Sequence, residues 1–254
     1  MSSLPPVVSR ADWLAARKSL LKEEKALTRA RDAVNTKRRL LPMVELDQEY
    51  VFGGPRGELR MTDVFEGRRQ LIVYHAMWLE DRGIGCPSCS AFLDQIGHLA
   101  HLHARDTTFA AVSRGPIDQI EAFKARMGWT FPWYSSHGSD FNYDFHVSFD
   151  ESRAAVEYNF RGQAELETAG LPIGEWDQPF DLHGVSVFLR DGDRVFHTYS
   201  AYARGTDNLG FISDFLDLTP LGRQEAWEEP KGRASASGAG AGDAGVRYHD
   251  EYDS

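Results

Sequence analysis

The chain has 254 residues, 42% of them hydrophobic and 26% charged. That is enough for one large domain or two small ones with a full core, and aromatic residues at 12% exclude disorder over most of its length. The net charge of −10 divides into +6 over residues 1–40, which hold ten Lys/Arg and four Asp/Glu, and −16 over the rest; an acidic body excludes nucleic acid as the main partner.

Ser9 is a helix N-cap, followed by Trp13, Ala16, Leu20 and Leu21 at helical spacing. The helix is expected to run to about Arg39 and stop before Pro42. Its basic residues read as a solvated face, and its apolar stripe is expected to pack on the core or on a second subunit, which makes a homodimer one possible assembly. A strand at residues 50–52, a turn at 53–57 and a strand around Leu59 make a hairpin, and Thr62 and Asp63 cap a brief helical turn. Gln70–His75 is a continuous apolar run that reads as a buried central strand. After Trp78 comes a polar loop, residues 79–85, and then Cys86-Pro87-Ser88-Cys89. From Pro87 the pattern turns helical through Phe92, Ile96, Leu99 and His103. A strand follows at 108–113 and a helix at 116–127, closed by Gly128. Residues 70–113 therefore spell a right-handed βαβ unit with parallel strands.

Residues 129–183 read as an aromatic-rich insertion that packs on the core. Strands at 185–190 and 194–200 around Asp191-Gly192-Asp193 are the clearest hairpin in the sequence. A helix is expected from about Asp207 to Leu216. Residues 233–244 are almost wholly Ala, Gly and Ser and read as a flexible linker. The tail, with Tyr248 and Tyr252, regains aromatics and is able to dock back. The expected organisation is an N-terminal helical extension over 1–45, a main domain over 46–228 with its insertion at about 129–183, and a linker and tail over 229–254. The first eight residues lack a basic and an apolar region, and the longest apolar stretch, around Leu71 to Leu79, falls short of the roughly 20 residues of a membrane helix. The expected setting is the cytoplasm, with no membrane partner.

Two cysteines, three apart, exclude a disulfide scaffold and a four-cysteine zinc site. A strand that delivers Cys86 to a helix N-terminus sets its sulfur against unpartnered N–H groups and the positive end of the helix dipole, and both favour thiolate. Pro87 fits the first helical position, where its missing N–H costs nothing. Cys89 stands one turn on. Cys86 is thus the candidate nucleophile and Cys89 the candidate resolving thiol. Two buried cysteines acting as small hydrophobes is the plainer alternative. His98, His101 and His103 lie too far along the same helix to share an ion with Cys86, about 18 Å at about 1.5 Å per residue, so no metal site is expected.

Beyond the Gly85-Cys86-Pro87-Ser88-Cys89-Ser90 segment, the chain carries Glu24-Lys25-Ala26-Leu27-Thr28-Arg29, Arg38-Arg39-Leu40-Leu41-Pro42, Met127-Gly128-Trp129 and His197-Thr198-Tyr199-Ser200-Ala201-Tyr202-Ala203-Arg204-Gly205. With Gln70–His75, these segments resemble an uncharacterised bacterial family, a domain of unknown function with a thioredoxin-like fold. The resemblance covers nearly everything from Trp13 to Arg223. It implies an α/β, thioredoxin-like fold with a central mixed sheet flanked by helices, and it implies no substrate. Thioredoxins carry a cis-proline directly before the strand that follows the crossover; His183 and Gly184 stand there instead, and Pro179 comes earlier, which weighs against general protein-disulfide exchange. Peroxiredoxins place Thr or Ser three residues before the reactive cysteine, where this chain has Gly83.

In that topology the strand 194–200 runs parallel to Gln70–His75, so Tyr199, Tyr202 and Arg204 are expected near Cys86, with Arg204 able to hold an anion. His75 and Trp78 end the central strand and are expected to line the same substrate pocket. The reading is a thiol–disulfide oxidoreductase or thiol-dependent reductase acting on a small or specialised substrate, with electrons from a dithiol protein or a low-molecular-weight thiol. No bound cofactor is implied, because no glycine-rich dinucleotide fingerprint follows a strand. The alternative is a non-catalytic binding module whose cysteine pair takes a soft metal such as Cu(I).

Overall fold

The computed structural model describes residues 5–209 and 248–251. Helix α1 spans Arg10–Arg39, and Ser9 caps it, its Oγ accepting from the Asp12 N–H at 3.1 Å. Lys37, Arg38 and Arg39 fill its last turn, where the helix dipole favours cations. Packing of its stripe on the chain's own core is not met. No residue of α1 is buried, and Trp13, Leu20 and Leu21 are all exposed. The chain turns at Leu40 and Leu41 straight into β1 (Val44–Glu45) at the sheet edge. The helix therefore meets the sheet at its last turn, where the Arg38 guanidinium lies 4.7 Å over the Tyr199 ring.

β2 (Val51–Gly54) and β3 (Gly57–Arg60) form the expected hairpin, and α2 (Met61–Val64) follows. β4 (Gln70–His75) is the buried central strand. The segment read as a loop holds a two-stranded ribbon, β5 (Trp78–Leu79) and β6 (Ile84–Gly85). The single helix expected from Pro87 through His103 is instead two, α3 (Pro87–Leu93) and α4 (Ala100–His103). Between them Gln95 and Ile96 fold back on the carbonyls of Phe92 and Leu93, three residues earlier, so the apolar spacing continues across a turn rather than along one axis. β7 (Thr107–Ser113) is buried throughout, and α5 (Ile117–Arg126) follows it.

Within residues 129–183 stand β8 (Trp133–Ser135), α6 (Phe141–Asp144), β9 (Ser148–Phe149), β10 (Glu157–Tyr158), β11 (Arg161–Gly162), α7 (Gln163–Thr168) and β12 (Phe180–Asp181). β8 lies in the central sheet, parallel to β7. The Gln178–Pro179 peptide is cis and precedes β12. β13 (Gly184–Asp191) and β14 (Arg194–Tyr202) make the expected hairpin, with Gly192 at φ +62°, a conformation that costs glycine little. Residues 203–209 form a 3-10 helix. The helix expected to reach Leu216 and the stretch 233–244 lie, beyond residue 209, outside the described residues. No helix among the described residues is long and apolar enough to cross a membrane.

The main sheet has the order β1-β14-β13-β4-β7-β8-β2-β3. β4 and β7 are parallel, joined by α3 and α4; β13 is antiparallel to β4, and β14 to β13. This mixed sheet flanked by helices is the thioredoxin-like fold. Alternation along β4 sorts its side chains between two cores. Leu71 and Val73 join Phe52, Val64, Phe65, Phe141 and Phe188 on one face. Tyr74 joins Cys89, Leu93, Phe109, Phe123 and Trp133 on the other. Each such fully buried aliphatic side chain contributes about 1.5–3 kcal/mol.

Candidate active site

The sheet face that carries Tyr74 positions the cysteine pair. The chain leaves β4, runs out and back through β5 and β6, and reaches Cys86 as the residue that caps α3, in extended conformation. Three backbone-anchored bonds hold it there: the Cys86 N–H donates to the Met77 carbonyl at 3.1 Å, and the Ser90 N–H and hydroxyl both donate to the Cys86 carbonyl at 2.9 Å. Cys86 is half-buried, Cys89 is fully buried, and both thiols are free. Pro87 takes the first helical position, as expected.

The two sulfurs have opposite electrostatics. The Cys89 thiol donates to Cys86, and the N–H groups of Cys89 and Ser88 and the Ser88 hydroxyl add to it; together they outweigh burial and bring the Cys86 pKa down to about 6. Cys89 moves well above the ordinary thiol value, because its hydrogen bond to Cys86, its burial and the Cys86 charge all favour its proton. Two donors pull the other way: the Tyr74 hydroxyl and the Met77 N–H, the latter 3.4 Å from the Cys89 sulfur. Tyr74 is held for this by stacking on Phe92, with ring centroids 4.2 Å apart. The pair thus has one sulfur poised as thiolate beside one that keeps its proton and has donors ready for its anion.

Of the five residues expected to line the substrate site, Trp78 shares the buried cluster of Cys89 and Cys86. It is buried, its ring edges meet Phe123 and Trp133, and its backbone N–H donates to Asp181 at 3.4 Å. The other four are not brought to Cys86. His75 follows Tyr74 by one residue and so points to the opposite face, fully buried against Phe141 and Phe145. There it ends a chain of 2.8 Å contacts, His75 Nε2 to Ser186 Oγ, Ser186 to Ser200 Oγ, and Ser200 to His197 Nε2. Burial first, then the nearby His197, lowers the His75 pKa to about 3, so it stays neutral. The end of β14 does lie at the edge expected, since Tyr202 pairs with Gly184 and Gly184 with His75. That same register puts Tyr202 on the His75 face, where its hydroxyl donates to the Phe145 carbonyl at 3.0 Å. Tyr199 lies under Arg38. Arg204 is exposed and bonds Asp207 at 3.1 Å. His101 and His103 are on α4 and His98 precedes it. Among the described residues no group of three or more His, Cys, Asp or Glu is placed to hold a metal ion.

Two features of the site were missed in the sequence. Tyr74, inside an apolar run, carried no signal beyond core packing. A buried ion pair braces the ribbon: Asp181 accepts from Arg114 Nε at 2.7 Å and from Ser148 Oγ at 2.6 Å, as well as from the Trp78 N–H. Arg114 also reaches Glu80 at 3.3 Å and the Tyr143 hydroxyl at 3.2 Å. The tail docks back as its aromatics suggested, and the place is now visible. Tyr248 is buried, and its hydroxyl donates to the Gly85 carbonyl at 2.6 Å.

Solved structures that resemble parts of this chain include three peroxiredoxin-type proteins. The peroxidoxin BcpB from Mycobacterium tuberculosis is 11% identical, with 66% of this chain and 91% of that one covered and a TM-score of 0.43. A mutant of the peroxiredoxin PrxQ from Xylella fastidiosa is 11% identical, covering 66% and 91% at 0.41. The bacterioferritin comigratory protein of Xanthomonas campestris, described for its alkyl peroxide reduction activity, is 13% identical, covering 63% and 86% at 0.40. None of the curated proteins matches the sequence. The family model described as bacterial protein of unknown function, DUF899, matches residues 2–252, and the chain belongs to that family.

Proposed function

We propose that the protein is a thiol–disulfide oxidoreductase, or thiol-dependent reductase, working through Cys86 and Cys89. The observation that supports this most is the setting of the pair, Cys86 partly buried at the N-cap of α3 and Cys89 buried one turn on beside the Met77 N–H, which lowers Cys86 to about 6 and raises Cys89. The Cys86 thiolate attacks one sulfur of a substrate disulfide; a Cys86–substrate disulfide forms and the other half leaves as thiolate, taking a proton from water. Cys89 then gives its proton to water, and its anion is met by the Tyr74 hydroxyl and the Met77 N–H. It attacks the Cys86 sulfur, releases the second half of the substrate and leaves a Cys86–Cys89 disulfide. An external thiol or dithiol supplies the two electrons that restore the pair.

The pH dependence of alkylation tests the nucleophile. Because the thiolate is the reacting form, the rate of Cys86 modification by iodoacetamide in the reduced protein should rise through about pH 6 and level off above about pH 7.5. Cys89→Ala removes the largest cause of the lowered pKa and should move that inflection upward. A wild-type rate that climbs only above about pH 8, as for an unperturbed thiol, would contradict the assignment.

A further inference from the structure

The C-terminal tail reaches the residue directly before the nucleophile. Tyr248 is 4% exposed, and its hydroxyl bonds the carbonyl of Gly85, which leads into Cys86. Its ring meets the edge of Phe123 with centroids 5.5 Å apart, and the Arg126 guanidinium lies 4.7 Å over it. Arg126 in turn binds Asp250 through two bonds of 2.9 Å and Glu251 through one of 3.0 Å. An aromatic side chain is thus inserted beside the cysteine loop and clasped from outside by a bidentate ion pair. The close fit depends on Gly85. A Cβ there would come within 2.9 Å of Phe123 Cε1 and 3.3 Å of Trp133, so only glycine lets the loop lie flat enough for Tyr248 to reach its carbonyl.

We infer that Tyr248, clasped by Arg126, is a specificity-determining residue that restricts Cys86 to low-molecular-weight disulfides and turns away extended protein segments. The reason is the fate of the backbone groups beside the nucleophile. An extended protein segment docks by pairing its main chain with backbone groups left unpaired on its target. Here the Gly85 carbonyl is taken by Tyr248, and the Met77 carbonyl by the Cys86 N–H. The Tyr248 ring lies beside the Gly85 carbonyl, against Phe123 and under Arg126. Cys86, only partly buried, is left to a compact molecule. The nearness of the two groups also shows in the Tyr248 phenol, raised to about 12 by burial first and by the Cys86 charge second.

This inference rests on Cys86 being the reactive thiolate, and the test keeps the two apart. The reduced full-length protein is treated with N-ethylmaleimide and, separately, with a polyethylene-glycol maleimide of protein size, and the two rates at Cys86 are read by mass. In the wild type the small probe should be strongly favoured. Arg126→Ala and Tyr248→Ala should each lower the small-to-large rate ratio at least tenfold. Tyr248→Phe, which keeps the ring and loses only the bond to Gly85, should fall between them and the wild type and guards against a general loss of folding. A ratio unchanged within twofold in all three variants, with Cys86 reacting readily, would overturn the specificity role alone. No reaction at Cys86 with either probe would overturn both this inference and the thiolate assignment beneath it.

Discussion

Replacing Cys86 by Ser is expected to lower disulfide-reducing turnover by roughly a thousandfold or more, about 4 kcal/mol on the barrier. A serine hydroxyl at this position stays protonated at neutral pH, and the hydrogen bonds that favour the Cys86 thiolate have no anion to act on. Cys89→Ser should behave differently. The first attack is retained, because a hydroxyl can still donate to Cys86, but no sulfur remains to resolve the adduct. Turnover should fall comparably while a Cys86–substrate disulfide accumulates and is seen as added mass. The contrast decides between the dithiol mechanism and a scaffold role. Comparable residual turnover in both variants, above about a tenth of the wild-type rate and without a trapped adduct, would count against Cys86 as nucleophile.

The second large effect is expected at Asp181. Its side chain is 3% exposed and that of Arg114 11%, so the pair is well shielded from water. Asp181→Ala leaves the guanidinium with Glu80, which is largely exposed, and the Tyr143 hydroxyl as remaining partners. Breaking a buried pair in this way costs about 3–5 kcal/mol. The Trp78 N–H and the Ser148 hydroxyl lose the same acceptor. Urea unfolding should show that loss, and Asp181→Asn, which keeps hydrogen-bonding capacity, should lose less. The effect should also reach the cysteines. Asp181 fixes the start of the ribbon that ends at Gly85, so the alanine variant should disturb the setting of Cys86. A loss below about 1 kcal/mol would mean that the ion pair does not brace the ribbon.

Much of this fold was legible because its signals are local. Ser9 and Pro42 bound α1; the apolar, β-branched run of β4 marks a central strand; Asp191-Gly192-Asp193 marks the hairpin; and the order strand, cysteine loop, helix, strand gives a parallel unit. The failures have a common physical origin, which is that position along an element does not give direction across it. The sheet edge predicted for Tyr202 was right. Its face was not, because Tyr202, Gly184 and His75 stand in one register row and share the side away from Cys89. The β5–β6 ribbon has two residues per strand, too few to show a period. The break after Leu93 escaped notice because Phe92, Ile96 and Leu99 keep apolar spacing through a turn. α1 has an apolar stripe but no surface of its own chain within reach to bury it, among the described residues.

The long-range contacts carried no sequence signal at all. Asp181 and Arg114 are 67 residues apart, and Tyr248 lies 163 residues from Gly85. Nothing in either segment names its partner. The tail's aromatic content suggested docking without saying where, and Tyr74 was indistinguishable from any other core aromatic.

The central claim is that Cys86 and Cys89 cycle between dithiol and disulfide. It is tested most directly by equilibrating the metal-free, full-length protein in a series of glutathione redox buffers, alkylating the remaining thiols and reading the mass. The account predicts one reversible two-electron transition, both thiols disappearing together, with a midpoint between roughly −270 and −120 mV, the span of cysteine-pair oxidoreductases. A protein that keeps two alkylatable thiols, or takes up glutathione without forming the Cys86–Cys89 disulfide, at every potential would contradict it.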